Sequence, residues 1–176
     1  MNKIKTKTQL CIPLKKENQM IRRIKQNEEK IVIKFLEEFA PEQIQFIRGD
    51  YFGHGENITL GRFDKNKNKL IGCIRYCIQQ IGEEQNTPPI IKNGIKLKEA
   101  KINVFAVDKD YRNQGIGKKL QLKVIEDAKI NNCSQVASYS TFDKIENYSV
   151  KLGLGFCVQP ETQADGTIGC FFLMKI

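Results

Sequence analysis

The chain has 176 residues, of which 40% are hydrophobic and 28% charged, enough to bury a continuous core without metal or disulfide support. Its apolar runs are too short to span a bilayer. No apolar segment with a small-residue cleavage site follows Met1, so a cytoplasmic protein without membrane partner is expected rather than a secreted one. The formal net charge of +9 is spread over the whole chain in stretches such as "IKQN" and "KNK", which points to no single anionic partner. A nucleic-acid binder would show a clustered basic stripe with interleaved aromatics; the five tyrosines are scattered, so nucleic acid is not the expected partner. Six cysteines without a secretion signal read as reduced thiols. With His54 as the single histidine, a zinc site is not expected.

In chain order, "QLCIPL" (Gln9 to Leu14) is a short apolar run stopped by Pro13. Met20 and Ile24 fit one helical stripe, and Ile31, Phe35 and Phe39 a second that Pro41 ends. The glycine-rich "RGDYFGHGE" (Arg48 to Glu56) is a loop. "NITLGRF" (Asn57 to Phe63) and "LIGCIRYCIQQI" (Leu70 to Ile81) alternate on either side of a polar turn and predict an antiparallel hairpin. On the second of these strands Cys73 and Cys77 share a face and read as small buried hydrophobes. Asn93-Gly94 suggests a second, small hairpin. "AKINVFAV" (Ala100 to Val107) has few polar residues and predicts a central strand covered on both faces.

A helix follows, with Ile116, Leu120, Val124 and Ala128 in steps of four, widened by Leu122 and Ile125. "QVASYST" (Gln135 to Thr141) is a strand, and "DKIENYSVKL" (Asp143 to Leu152) a short helix with Asp143 as candidate N-cap. "LGFCVQ" (Leu154 to Gln159) and "GCFFLMKI" (Gly169 to Ile176) close the chain as strands around a "QADGT" turn. The sum is one α/β domain over residues 1–176, without internal repeat or linker.

"RNQGIGKK" (Arg112 to Lys119) joins the central strand to the long helix. First-turn N–H groups lack intrahelical partners and carry the positive end of the helix dipole, so this position suits an anion. Gly115 and Gly117 would let it approach the backbone; Arg112, Lys118 and Lys119 would add charge. The spacing is neither G-x-x-x-x-G-K-[ST] nor G-x-G-x-x-G. From the residues alone, a pyrophosphate cradle and a plain strand-to-helix turn stand about level.

"VDKDYRNQGIGKKL" resembles the acetyl-CoA-binding motif of the GNAT N-acetyltransferase superfamily. That motif reads Arg or Gln, two residues, Gly, one residue, Gly or Ala, after a strand and a tyrosine-bearing turn. Arg112, Gly115 and Gly117 occupy the pattern positions, Val107, Tyr111 and Leu120 suit the flanks, and Lys109 replaces a common proline. Gly155 and Phe156 match the family's later "G-F" pair. The likeness covers residues 70–176 well and the amino-terminal third only in element order.

The resemblance implies a single-domain GNAT-like fold with a mixed, mostly antiparallel central sheet flanked by helices. It implies acetyl-CoA as cosubstrate, no metal, and a small-molecule or peptide amine as acceptor; a homodimer is compatible with it. The backbone of Phe105, Ala106 and Val107 would pair with the pantetheine arm, and the amides from Asn113 through Gln114, Gly115, Ile116 and Gly117 to Lys118, with Arg112 beside them, would hold the pyrophosphate. Val107 N–H would face the oxyanion. The family's proton-donating tyrosine, about five residues before the "GF" phenylalanine, is replaced by Lys151; Tyr148, one turn earlier, is the candidate acid. Asn147 would reach the pantetheine or lie in solvent. Candidates for the base are Glu37, Glu38, Asp108 and His54. Two alternatives remain, a CoA-binding module without catalysis and a basic nucleic-acid binder.

Overall fold

The computed structural model describes residues 19–48, 55–64, 66, 68–83, 86–162 and 166–176; "QLCIPL" and His54 lie outside them. The described chain forms β1 (Gln19–Arg23), α1 (Glu29–Phe39), α2 (Gln45–Arg48), β2 (Glu56–Asp64), β3 (Lys69–Gln80), β4 (Ile91–Lys92), β5 (Ile95–Lys96) and β6 (Lys98–Val107). Then come α3 (Ile116–Ile130), β7 (Gln135–Thr141), α4 (Ile145–Gly153), β8 (Cys157–Thr162) and β9 (Ile168–Lys175). Seven strands make one sheet in the order β1-β2-β3-β6-β7-β9-β8, while β4 and β5 form a separate small hairpin. Its turn is Asn93-Gly94, with φ of 52° and 76°, the double left-handed geometry that this dipeptide favours.

All neighbours in the large sheet are antiparallel except β6 and β7. Parallel strands need a long crossover, and α3 supplies it. One face of the sheet is covered by α3 and α4: Leu120, Val124, Ala128 and Tyr148 pack with Ile74, Tyr76, Ala100, Ile102 and Phe172. On the other face, Val32, Phe35 and Leu36 of α1 and Ile47 of α2 pack on Cys73, Val104 and Ala106.

The feature that positions the site is a parting of strands. The β6–β7 ladder runs only from Glu99↔Gln135 to Ile102↔Ser138. Beyond it, β6 stays paired to β3 as far as Val107↔Gly72, and β7 to β9 as far as Thr141↔Gly169. Beyond the ladder each strand has a partner strand on its outer flank and none on the inner one. A register shift between Arg75 and Tyr76 leaves Asn103 with no opposite residue on β3. This is a bulge, which adds local twist where β6 leaves β7.

Five sequence expectations change. Ile31 is exposed and its neighbour Val32 takes the buried position on α1. Met20 and Ile24 belong to a strand and its end, not a helix, because residues four apart share a face in both geometries, and the edge of β2 offers partners from Gln19↔Asp64 to Arg23↔Leu60. Asp143 is not the N-cap of α4; Lys144 is, and the Asp143 carboxylate is taken up by the Thr141 hydroxyl and the Lys144 ammonium. Leu122 is exposed, and Gln121 is buried in its place. Strand β8 begins at Cys157 rather than Leu154, since α4 continues to Gly153 and Gly155 ends it with φ of 92°. That left-handed residue lets Phe156 N–H return to Lys151 O at 3.1 Å and turns Phe156 into the core.

Candidate active site

The inner edge of β6 carries the first group of residues. Asp108 N–H donates to Ile71 O at 3.0 Å, which sets the alternation: Asp108 and Ala106 turn their polar backbone groups to β3, Phe105 and Val107 to the opening. Ala106 is thus not available as an arm-binding residue, its backbone being directed at Cys73 and its side chain buried beneath α1. Phe105 has a partner from outside the sheet. Its N–H donates to Gln43 Oε1 at 2.8 Å, and its carbonyl accepts from Gln43 Nε2 at 3.3 Å. Val107 O accepts from Arg112 Nε at 3.4 Å, tying the motif arginine to the end of the strand that precedes it.

The turn itself is open. Asp108 starts it: its buried carboxylate accepts from Asp110 N–H at 3.0 Å and from Lys69 Nζ at 2.8 Å. Arg112, Asn113, Gln114 and Gly115 are exposed. Asn113 and Gly115 both have left-handed backbones, with φ of 60° and 74°, and nothing lies within 4 Å of where a Gly115 Cβ would be. Successive N–H groups in such turns converge on an anion. The first helical bond is Lys119 N–H to Gly115 O at 3.1 Å, so the N–H groups of Ile116, Gly117 and Lys118 precede it. Gly117 has a different reason for being glycine: a Cβ there would stand 2.8 Å from Phe105 Cζ. It permits the close contact of α3 with β6.

A buried polar network lines β7 under α4. Lys151 Nζ donates to Ser138 Oγ at 2.8 Å and to Ser140 Oγ at 2.7 Å, and lies 4.4 Å above the Phe172 ring. Lys151 is 1% exposed, and burial lowers its ammonium from 10.5 to about 7. Ser140 Oγ also accepts from Asn147 Nδ2 at 2.9 Å, and Asn147 Oδ1 accepts from Gln121 Nε2 at 3.1 Å. Asn147 is therefore neither a solvated helix position nor free to turn without loss. Tyr148 is buried with its ring edge-on to Phe172 at 5.0 Å. Its hydroxyl donates to Ser140 O at 2.8 Å, and burial pushes it up to about 12.

The remaining candidates are less well placed. Glu37 is exposed and 3.8 Å from Arg48, and Glu38 is exposed on the same helix. Asp108 is committed to the turn as described. Sequence reasoning missed Gln43, which carries no pattern, and Asn103, whose two amide polar atoms are buried without a hydrogen-bond partner at the bulge. The Lys151 site was partly legible: Ser138 and Ser140 fall two apart on a strand and so on one face.

The comparisons accord with this architecture. The model of the acetyltransferase (GNAT) family matches residues 22–154. The chain belongs to the GNAT family. Among solved GNAT-like folds, Arabidopsis thaliana NAA60 in complex with acetyl-CoA is similar with a TM-score of 0.71 at 16% identity, over 90% of this chain and 99% of that one. The GNAT acetyltransferase of Staphylococcus aureus Mu50 gives 0.63 at 16% identity, over 89% and 98%. The NatC complex bound to Gag peptide and CoA gives 0.62 at 15% identity, over 90% and 98%. At these identities the likeness is one of fold. No curated protein matches the sequence. Among the described residues no helix is long and apolar enough to cross a membrane.

Proposed function

We propose that this GNAT protein transfers an acetyl group directly from acetyl-CoA to a primary amine. The observation that carries the reading is the opening between β6 and β7, walled by the inner edge of β6 and leading to the left-handed turn before α3. A strand edge takes an extended amide-bearing arm, and a helix start with converging N–H groups takes a pyrophosphate. In this reading the N–H groups of Asn113 to Lys118 hold the phosphates, with Arg112 and Lys118 adding charge, and Phe105 and Val107 pair with the arm, the Val107 N–H meeting the thioester oxygen at its end.

The chemistry then follows from the position of these groups. The neutral amine attacks the thioester carbonyl, the oxyanion takes the Val107 N–H, and collapse breaks the C–S bond; one preorganised donor of this kind contributes ~3 kcal/mol. Tyr148 gives its proton to the departing thiolate, and a hydroxyl held near 12 is protonated at neutral pH, as a donor must be. The proton lost by the amine leaves through a carboxylate or water. The acceptor is a small-molecule or peptide amine.

Acetyl-CoA should raise the melting temperature, as should free CoA, and thiol should be released when a suitable amine is added. If neither CoA compound moves the melting curve at millimolar concentration, the reading fails. One observation favours the second reading, a CoA-binding module without turnover: the Tyr148 proton is directed at the Ser140 carbonyl and the Lys151 ammonium at two hydroxyls. A melting shift without thiol release on any amine of a broad panel would decide for it.

A further inference from the structure

The 3-10 turn Pro41–Gln43, between α1 and α2, reaches both sides of the opening. On one side Gln43 makes the paired bonds to Phe105 N–H and C=O, at 2.8 and 3.3 Å. On the other, Glu42 Oε1 lies 3.2 Å from the ammonium of Lys144, which stands between β7 and α4. The turn thus bridges the two strands at the place where their own ladder has ended. A glutamine amide carries one acceptor and one donor set side by side, as a peptide unit of a neighbouring strand would. Gln43 does for Phe105 what the next strand does for Ile102.

We propose that Gln43 is a stand-in for the arm of acyl-CoA: it pairs with the Phe105 edge and releases it when the arm binds. Gln43 is then a residue that sets cosubstrate affinity. This rests on the reading of Phe105 and Val107 as the docking edge. The two partners exclude each other because the inward N–H and C=O of one residue accept one paired partner at a time. Release is easy, since the other tether, Glu42–Lys144, joins side chains that are 50% and 42% exposed, and such pairs hold weakly.

The experiment compares wild type, Gln43→Ala and Gln43→Glu by calorimetric titration with CoA and with 3′-phospho-ADP, which has the phosphates but no arm. Loss of the competing pair should lower the CoA Kd roughly three- to thirtyfold in Gln43→Ala, leave 3′-phospho-ADP unchanged, and give an intermediate value in Gln43→Glu, which keeps only the bond from Phe105 N–H. In wild type the Gln43 side-chain amide resonance should move on adding CoA and stay in place on adding 3′-phospho-ADP, a readout that needs no variant. If wild type fails to bind CoA, the functional reading fails instead. If wild type binds CoA but Gln43→Ala binds it equally or more weakly, or the resonance does not move, Gln43 is a permanent fixture and the inference is wrong.

Discussion

Lys151 gives the sharpest test of the physical argument, because a buried lysine without a carboxylate partner makes stability depend on pH in a definite direction. In the fold its ammonium is lowered to about 7, in the unfolded chain it keeps 10.5. The folded state therefore binds fewer protons than the unfolded state between these values, and stability must rise as pH rises through that window. Below pH 7 the full cost stands, roughly 5 kcal/mol, and it falls by about 1.4 kcal/mol for each pH unit above. Lys151→Met keeps the volume and removes the charge. It also leaves the Ser138 hydroxyl without its donor and the Ser140 hydroxyl with Asn147 alone, but that loss is the same at every pH. The melting temperature of the variant relative to wild type should accordingly fall by roughly 5–10 °C between pH 7 and pH 9, at about 2–4 °C per kcal/mol for a chain of this size. Of the other groups near Lys151, Tyr148 is pushed up to about 12 and lies outside the window, and the Phe172 ring does not titrate; the buried Cys170 thiol, whose negative charge would favour the ammonium, is taken out of the comparison by Cys170→Ala in both proteins. Melting curves measured every half pH unit would show the trend. Two parallel curves would refute it, and would mean that the Lys151 ammonium does not lose its proton in this range.

The other predictions concern the turn, the bulge and the candidate acid. Gln114→Glu adds a negative charge at an exposed position of the turn and should weaken acetyl-CoA binding roughly tenfold with an unchanged melting temperature; equal affinity would place the phosphates elsewhere. Gly117→Ala should destabilise by about 1–3 kcal/mol in urea unfolding, since its Cβ meets the Phe105 ring at 2.8 Å. Asn103→Leu removes two buried unpaired amide atoms and should leave the protein as stable or up to about 3 kcal/mol more so in urea unfolding; a clear loss would reveal a water-mediated bond. Tyr148→Phe should lower the rate of thiol release by about a hundredfold or more and leave the CoA Kd in place; unchanged turnover would remove Tyr148 from the chemistry.

The sequence determined most of the elements and the turn that joins β6 to α3. The hairpin of Asn57 to Phe63 and Leu70 to Ile81 could be read from the polar turn between two apolar runs, and the long helix from Ile125, which lies at odd offsets from Ile116, Leu120, Val124 and Ala128 and so cannot share a strand face with them. Gly115 could be read as a glycine of the turn that opens the helix; that its backbone is left-handed came from the structure. Met20 and Ile24 could not be read, since two apolar residues four apart satisfy strand and helix alike, and the free edge of β2 made the choice.

What only the tertiary structure decided is which side each group faces and who meets it across the opening. Ala106 and Phe105 are neighbours in one apolar strand, yet one addresses β3 and the other the opening, because the ladder with β3 and the bulge at Asn103 fix the alternation. Gly117 looks like a cradle residue and is glycine because Phe105 lies against it. Lys151 is an ordinary lysine until α4 folds it under β7 onto Ser138, Ser140 and Phe172, and Gln43 is an ordinary polar residue until it finds the edge of a strand 62 residues away. Local spacing sets element and turn; partners distant in sequence come together only when the sheet closes, and the chemistry of this site depends on them.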